Sequence, residues 1–275
     1  MDAARDIGMI EGPLFIVGHA RSGTTITLDA LAAAGDFRAA SVEGHWMYLI
    51  LEDLRGLLVN GSADVQSLSR SMMLHRVENR SLLLAELAGM IDRFQRKLVG
   101  EGGCWVDKTP GLAQLRILPL LMEMFPASRV IFNLRNPFSV VESVRRQWSS
   151  APGVFSLAKR WLDTSSLFRA LIEEKIVATR YLVLRHEAIA SKPARVSDQL
   201  AAFLETPGIT DGLAAYFWEN SRKQNAPLEA NESRDVRIPY PRGLSRWEIA
   251  GISWACRAEM ELRGYRVKKE GIFCL

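Results

Sequence analysis

The fold is decided by residues 14–35, which read LFIVGHARSGTTITLDALAAAG. Leu14–Val17 is a short apolar run, typical of a strand that is buried on both faces of a parallel sheet. Apolar residues recur at helical spacing over Thr24–Ala34, and Gly35 predicts the end of that helix. A strand, a turn and a helix in such close succession predict the first βα unit of an α/β fold.

The same alternation continues along the chain. Further strand-like apolar runs occupy residues 104–106, 130–134 and 181–184. Helical patterns follow them, from Pro110 to about Phe125, from Pro137, from Ile189 to Leu204 and from Ser245 to Arg263. Strands that alternate with helices predict a three-layer α/β fold, in which helices flank a parallel β-sheet.

The length of 275 residues suits one α/β domain that carries insertions. We therefore expect a single domain over residues 1–275. The stretch at about 46–100 is helical in pattern and rich in Leu, Arg and Glu, which predicts a helical insert beside the sheet. Residues 220–242 are polar and contain three prolines, which predicts an extended loop.

Composition excludes several classes of protein. Hydrophobic residues make up 48% of the chain, which is enough for a packed core and argues against disorder. The net charge of +4 favours anionic ligands, but it is too small to predict nucleic-acid binding. The N-terminal residues are charged where a secretory signal would be apolar, and no run is long enough to span a membrane.

The cysteines add to the prediction of a cytoplasmic protein. Cys104, Cys256 and Cys274 are an odd number at wide spacing, which suits neither a disulfide framework nor a zinc site. We therefore expect a reducing compartment and no metal centre. Whether Cys256 and Cys274 ever pair is left open by the sequence, as is the oligomeric state.

The turn Gly18–Thr25, GHARSGTT, lies where the backbone amides and the helix dipole converge on an anion. A nucleoside-triphosphate loop would place Lys directly after the second Gly, but Thr24 stands there and the cation is Arg21. The turn therefore suits a single 5'-phosphate better than a metal-bound triphosphate. The alternatives are a small-molecule kinase, a catalytically silent nucleotide-binding protein, or a glycine-rich turn without function.

A second group of residues lies in NLRNPFSVVES, residues 133–143. Arg135 ends a predicted strand, and Ser143 lies two turns into the following helix. An arginine fork and a serine hydroxyl could hold a second phosphate together. Taken alone, Arg135 could equally cap a carboxylate and Ser143 could be a small packing residue.

These two motifs together resemble the PAPS-dependent sulfotransferases, where PAPS is 3'-phosphoadenosine 5'-phosphosulfate. In that family the 5'-phosphosulfate loop reads Arg or Lys, Ser, Gly, Thr, Thr, and an Arg followed eight positions later by Ser binds the 3'-phosphate. The resemblance implies a P-loop-like sulfotransferase fold and sulfonyl transfer from PAPS to an acceptor hydroxyl, without a metal. It implies donor binding by Arg21, Ser22, Gly23, Thr24, Thr25, Arg135 and Ser143.

The sequence resembles the carbohydrate and tyrosylprotein branch more than the phenol-type enzymes. In tyrosylprotein sulfotransferases a lysine in a Lys-x-Pro segment contacts the sulfonate, and Lys108 lies in such a segment. The resemblance implies that Lys108 and Arg21 neutralise the leaving group and that Glu43 is the general base. The expected Glu-Glu pair is replaced by Glu43-Gly44-His45, so His45 is the alternative base.

Two further donor contacts follow from the same resemblance. His186 stands where the tyrosylprotein enzymes have a tyrosine that contacts the adenosine, and Ser245-Arg246 lies in a segment that resembles a cofactor-binding Leu-Ser-Lys-Trp. The neighbouring Trp247 is expected to anchor the last helix in the core. The acceptor could be a sugar, a lipid, a natural-product alcohol or phenol, or a peptide tyrosine.

Overall fold

The structure is a computed structural model, and it describes most of the chain. The described residues are 12–35, 37–40, 43, 45–59, 77–222, 236–238, 241 and 243–267. Most of the predicted loop at 220–242, part of the helical insert, Gly44 and Cys274 lie outside the described residues. The single domain over residues 1–275 therefore stays a prediction.

Five parallel strands form the central sheet. They are β1 (Leu14–Gly18), β2 (Phe37–Ala39), β3 (Cys104–Lys108), β4 (Arg129–Leu134) and β5 (Tyr181–Arg185). Their spatial order is β2-β3-β1-β4-β5, so β1 lies at the centre and the chain crosses over β1 between β3 and β4. The register pairs Ile16 of β1 with Lys108 on one side and Ile131 on the other. This confirms the predicted α/β fold.

Ten helices accompany the sheet within the described residues. They are α1 (Thr24–Ala34), α2 (His45–Val59), α3 (Val77–Val99), α4 (Leu112–Met124), α5 (Pro137–Gln147), α6 (Val154–Phe168), α7 (His186–Ser191), α8 (Pro193–Leu204), α9 (Thr210–Arg222) and α10 (Arg246–Leu262). Two short strands, β6 (Val236–Ile238) and β7 (Tyr265–Val267), pair in parallel outside the main sheet.

Two apolar layers cover the two faces of the sheet. Phe15, Trp105 and Phe132 pack on one face, with residues of α2 to α6 and α10. Leu14 and Ile16 pack on the other face, with residues of α1, α8 and α9. Alternate residues of one strand are thus buried in different layers, which is why the strands read as continuous apolar runs. The three-layer prediction is confirmed.

Several predicted boundaries are wrong. The helix predicted over residues 189–204 is two helices, because Lys192 precedes Pro193 and leaves the helical conformation, with φ −140° and ψ 57°. The loop predicted from Asn220 begins later, since α9 continues to Arg222. Trp247 does not anchor the core, because 86% of it is exposed. No helix among the described residues combines the length and apolarity needed to cross a membrane.

Candidate functional site

A cleft opens where the carboxyl ends of the strands meet, which is where parallel α/β sheets usually bind ligands. Its volume is about 370 Å³, within the range of small-molecule sites. The cleft lies between the end of the sheet, the start of α1 and helix α9. Its lining consists of Arg21, Gly23, Thr24, Thr25, Ile26, Asp29, Arg135, His186, Tyr216 and Asn220.

The turn between β1 and α1 is shaped by two glycines. Gly18 has φ +148°, and any side chain there would collide with the Asn133 carbonyl group. Gly23 has φ +101°, and a Cβ atom there would lie 2.6 Å from His186 Nδ1. Only glycine combines this backbone conformation with so close an approach. The turn is therefore fixed in a shape that exposes its backbone to the cleft.

Helix α1 starts without a side-chain cap. Its N-cap residue Gly23 has no side chain to bond the first amides, and Thr24 and Thr25 of the first turn line the cleft. Two hydrogen bonds stabilise the turn instead. Thr27 Oγ1 donates to the Gly23 carbonyl at 3.1 Å, and Asn133 Nδ2 donates to Thr27 Oγ1 at 2.8 Å. Uncapped amides at the positive end of a helix form a binding site for an anion.

The structure brings Arg21, Arg135 and Ser143 together. Arg21 Nε donates to Ser143 Oγ at 3.1 Å, and Arg135 Nη1 donates to the Arg21 carbonyl at 3.1 Å. Within the described residues, no carboxylate forms an ion pair with either arginine. Burial lowers the pKa of Arg135, the charges of Arg21 and Arg146 lower it further, and the Glu187 carboxylate opposes these effects. Two neighbouring cations that form no ion pair within the described residues favour an anionic ligand.

His186 lies against the turn as a neutral imidazole. Burial lowers its pKa to about 3, and the charges of Arg135 and Arg21 contribute to the shift. Its Nδ1 atom is buried and has no hydrogen-bond partner among the described residues. A buried polar atom without a partner at the wall of a cleft is a candidate ligand contact.

The opposite end of the cleft contains residues that the sequence did not indicate. Asp29 lies on α1, about one and a half turns after Thr24, and Tyr216 and Asn220 lie on α9. Burial raises the pKa of Tyr216, as do the charge of Asp29 and a hydrogen bond to it. Asn220 Nδ2 donates to the Tyr216 carbonyl at 2.9 Å. This end therefore offers uncharged donors and one carboxylate rather than cations.

Glu43, Lys108 and His45 form a compact cluster at the end of β3. Lys108 Nζ donates to Glu43 Oε1 at 2.7 Å, and His45 Nε2 lies 2.8 Å from Glu43 Oε2. Burial alone would raise the pKa of Glu43, but hydrogen bonds and charges from Lys108 and His45 outweigh it and lower that pKa. The carboxylate is thus kept ionised and both of its oxygens are engaged.

Ser245 and Arg246 do not line the cleft. Ser245 is the N-cap of α10, where its hydroxyl accepts from the Glu248 amide at 3.3 Å and Glu248 accepts from the Ser245 amide at 2.7 Å. Arg246 is exposed at the first turn of that helix. Glu248 also pairs with Arg145 at 3.1 Å, which ties this segment to the helix that carries Ser143.

The two buried cysteines within the described residues, Cys104 and Cys256, are free. Burial raises the pKa of each thiol to about 12, which makes both poor metal ligands and nucleophiles. No group of three or more His, Cys, Asp or Glu side chains within the described ranges is arranged to hold a metal ion.

Comparison with known proteins gives a consistent result. A family model described as "Sulfotransferase family" matches residues 13–211, which is most of the chain. No curated protein matches the chain in sequence.

Three solved structures share the fold. Sulfotransferase STF9 from Mycobacterium avium is 14% identical with a TM-score of 0.50, over 96% of this chain and 79% of that one. The sulfotransferase domain of the Synechococcus PCC 7002 olefin synthase is 19% identical with a TM-score of 0.52, over 88% and 94%. Mouse sulfotransferase SULT7A1, solved in complex with PAP, is 11% identical with a TM-score of 0.51, over 91% and 84%.

Proposed function

This chain belongs to the sulfotransferase family, and we propose that its cleft holds PAPS with the two phosphate ends on the arginines and the strand-end turn. As a sulfotransferase it transfers the sulfonyl group of PAPS to an acceptor hydroxyl. The observation that carries the proposal is the contact between Arg21 and Arg135 in the cleft, where no carboxylate of the described residues forms an ion pair with either cation. A bisphosphorylated nucleotide supplies the missing negative charge.

The donor orientation follows from the two ends of the cleft. The 5'-phosphosulfate lies at the uncapped start of α1, over Gly23, Thr24 and Thr25, because the amides and the helix dipole favour an anionic group there. The 3'-phosphate lies on Arg135, beside Arg21 and Ser143. The base then extends toward Tyr216 and Asn220, which are uncharged.

The chemical step is an in-line displacement at sulfur. The acceptor oxygen forms a bond to the sulfur atom while the bond from sulfur to the bridging oxygen breaks, and that oxygen leaves as part of the 5'-phosphate. Lys108 and Arg21 stabilise the charge that develops on the leaving phosphate. The acceptor proton passes to a base of the Glu43 cluster. Positioning and charge stabilisation supply most of the rate acceleration.

We assign the base role to Glu43. Its pKa is lowered, so Glu43 is an ionised carboxylate, the form that can accept a proton, at any pH near neutrality. Lys108 occupies one of its oxygens until the donor arrives and attracts the ammonium group. His45 is the rival, because Glu43 could instead orient its imidazole as in other carboxylate–histidine pairs.

The pH profile of kcat/KM separates these two bases. A Glu43 base gives a profile that stays level from about pH 8 to 5.5, since the carboxylate loses its ability to accept a proton only below its ordinary range. A profile that falls at a higher pH than a carboxylate allows would contradict the Glu43 assignment. A His45→Gln variant that is inactive while Glu43→Gln is active would transfer the role to His45.

The acceptor is a hydroxyl compound, and its class remains the four named from the sequence: sugar, lipid, natural-product alcohol or phenol, or peptide tyrosine. A screen of such compounds with labelled donor identifies it. We place the reaction in the cytoplasm, supported by the free thiols of Cys104 and Cys256.

A thermal-shift comparison tests the donor assignment. We expect 3'-phosphoadenosine 5'-phosphate (PAP) to raise the melting temperature, because a ligand that binds only the folded state stabilises it. ATP with magnesium should give little shift. An Arg135→Ala variant should lose most of the response to PAP. Stabilisation by ATP with magnesium and none by PAP would favour the kinase alternative.

A further inference from the structure

The peptide group that joins Arg135 to Asn136 is held by two side chains. It lies after the last residue of β4 and before the first residue of α5, so neither the sheet nor the helix fixes its orientation. Trp161 Nε1 donates to the Arg135 carbonyl at 2.8 Å. On the other side the Asn136 N–H donates to Glu187 Oε1 at 2.9 Å. Both polar atoms of one peptide group are therefore bonded to buried side chains.

Glu187 also fixes the side chain of Asn136. Asn136 Nδ2 donates to the same Oε1 atom at 2.8 Å, and Asn136 Oδ1 accepts from the Ser139 amide at 2.8 Å as the N-cap of α5. The second carboxylate oxygen, Oε2, accepts from the Tyr265 hydroxyl at 3.1 Å. Asn136, Glu187 and Tyr265 are each at most 4% exposed. Buried hydrogen bonds of this kind hold one geometry because breaking any of them leaves an unpaired polar atom.

The bonds come from two different helices. Trp161 lies on α6 and packs in the layer that contains Phe132. Glu187 lies on α7, and its hydrogen-bond partner Tyr265 packs in the same layer as Trp161. The orientation of the Arg135 main chain is thus set by α6 and α7 together, and with it the direction of the guanidinium that reaches the Arg21 carbonyl.

Glu187 does not act as a counter-ion in direct contact. No ion pair between Glu187 and Arg135 occurs among the described residues, so the arginine fork keeps its donors for a ligand. A carboxylate near a phosphate site repels the ligand, so attraction does not explain why Glu187 is there. The three hydrogen bonds that its carboxylate accepts, from the Asn136 amide, Asn136 Nδ2 and the Tyr265 hydroxyl, do explain it.

We propose that Glu187 and Trp161 are positioning residues for recognition of the 3'-phosphate, acting through the Arg135–Asn136 peptide group. The proposal rests on the proposed function, since it assumes that Arg135 binds that phosphate. A bidentate contact requires the guanidinium to be placed within about half an ångström. Loss of either side chain frees the peptide group to rotate and misdirects Arg135.

The test compares two ligands that differ only in the 3'-phosphate. Dissociation constants for PAP and for AMP are measured by calorimetry. The constant for AMP divided by the constant for PAP gives the contribution of the 3'-phosphate to binding in each variant. We expect Glu187→Ala to reduce the ratio about tenfold, as losing an outer-shell partner does at metal sites. Glu187→Gln should restore most of the ratio, because Gln keeps an acceptor for Asn136 and can donate to the Tyr265 hydroxyl.

Trp161→Phe is a second, independent test variant, because it removes the indole N–H and keeps most of the aromatic ring. It should also reduce the ratio, and it carries the test if Glu187→Ala does not fold. Glu259→Gln is the matched control: Glu259 is another buried carboxylate, bonded to Ser165 at 2.8 Å and Arg263 at 3.0 Å. It should leave the ratio unchanged even where it lowers stability.

Three results would each contradict either the positioning role or the proposed function. A wild-type ratio kept by both folded Glu187→Ala and Trp161→Phe removes the positioning role. A Glu187→Gln ratio as low as that of Glu187→Ala removes the hydrogen-bond explanation. A wild-type enzyme that binds PAP no better than AMP contradicts the proposed function itself, because the 3'-phosphate then has no site.

Discussion

Replacing His186 by Asn should make the fold less sensitive to acid. The pKa of His186 is lowered to about 3 in the folded protein, first by burial and then by the charges of Arg135 and Arg21. In the unfolded chain an imidazole titrates near 6.5. The folded protein therefore keeps a neutral side chain over a pH range in which the unfolded chain takes up a proton.

The sign and size of the effect follow from proton linkage. Between about pH 6.5 and 3 the unfolded state binds more protons than the folded state, so the free energy of unfolding falls as the pH falls. One such group contributes about 1.4 kcal/mol per pH unit. At about pH 5 the wild-type protein should have lost about 2 kcal/mol through His186 alone, and this loss is absent in His186→Asn.

Urea unfolding at about pH 7.5 and pH 5 measures the effect in both proteins. Carboxylates and other histidines titrate in both, so the difference between the two acid-induced losses isolates His186. The same comparison is repeated with saturating PAP. Its phosphates offset the charges of the two arginines, so the additional acid-induced loss of unfolding free energy in the wild type should become smaller. Equal losses in wild type and variant would show that the imidazole is not held neutral, and the electrostatic description of the cleft would be wrong.

Three further predictions concern the cleft. Gly23→Ala should destabilise the protein by more than about 1 kcal/mol in urea unfolding, because of its φ of +101° and the approach to His186; a wild-type midpoint would contradict the turn geometry. Lys108→Ala should lower kcat by at least about a hundredfold while the PAP dissociation constant changes little, and a parallel loss of binding would make Lys108 a binding residue. Asp29→Ala should reduce the preference for PAP over inosine 3',5'-bisphosphate in calorimetry, since the exocyclic amine loses a carboxylate acceptor; an unchanged preference would place the base elsewhere.

The central strands were predictable because they are buried on both faces. β1 and the Val130–Phe132 part of β4 read as apolar runs, and the helices after these strands begin at Gly and Pro signals. The edge strand β2 spans three residues, of which Phe37 alone is buried, so its sequence carries no strand signal. Helix α9 was missed for a related reason, since its start at Thr210–Gly212 combines a β-branched residue with a helix breaker.

The convergence of Arg21 with Arg135 follows from topology and could be predicted. Arg21 lies in the turn three residues after β1, Arg135 directly follows β4, and neighbouring parallel strands end at the same edge. Asp29 and Tyr216 could not be predicted, because they meet only through the packing of α9 against α1. The capping role of Ser245, in contrast, could be predicted from the sequence. The spacing Ser245-x-x-Glu248 is a capping-box signature, which the sequence already contained, and its predicted role in donor binding stays a prediction.

The contact of Lys108 with Glu43 has a consequence for kinetic order. The ammonium group is bonded to the carboxylate, which lowers the pKa of Glu43 and makes it a weaker proton acceptor. Arrival of the nucleotide gives the ammonium a stronger partner and releases the carboxylate, so an alcohol that enters first finds no base ready for it. We therefore expect an ordered mechanism in which the nucleotide binds before the alcohol. PAP should then inhibit competitively with PAPS and non-competitively with the alcohol, and random-order patterns would contradict this expectation.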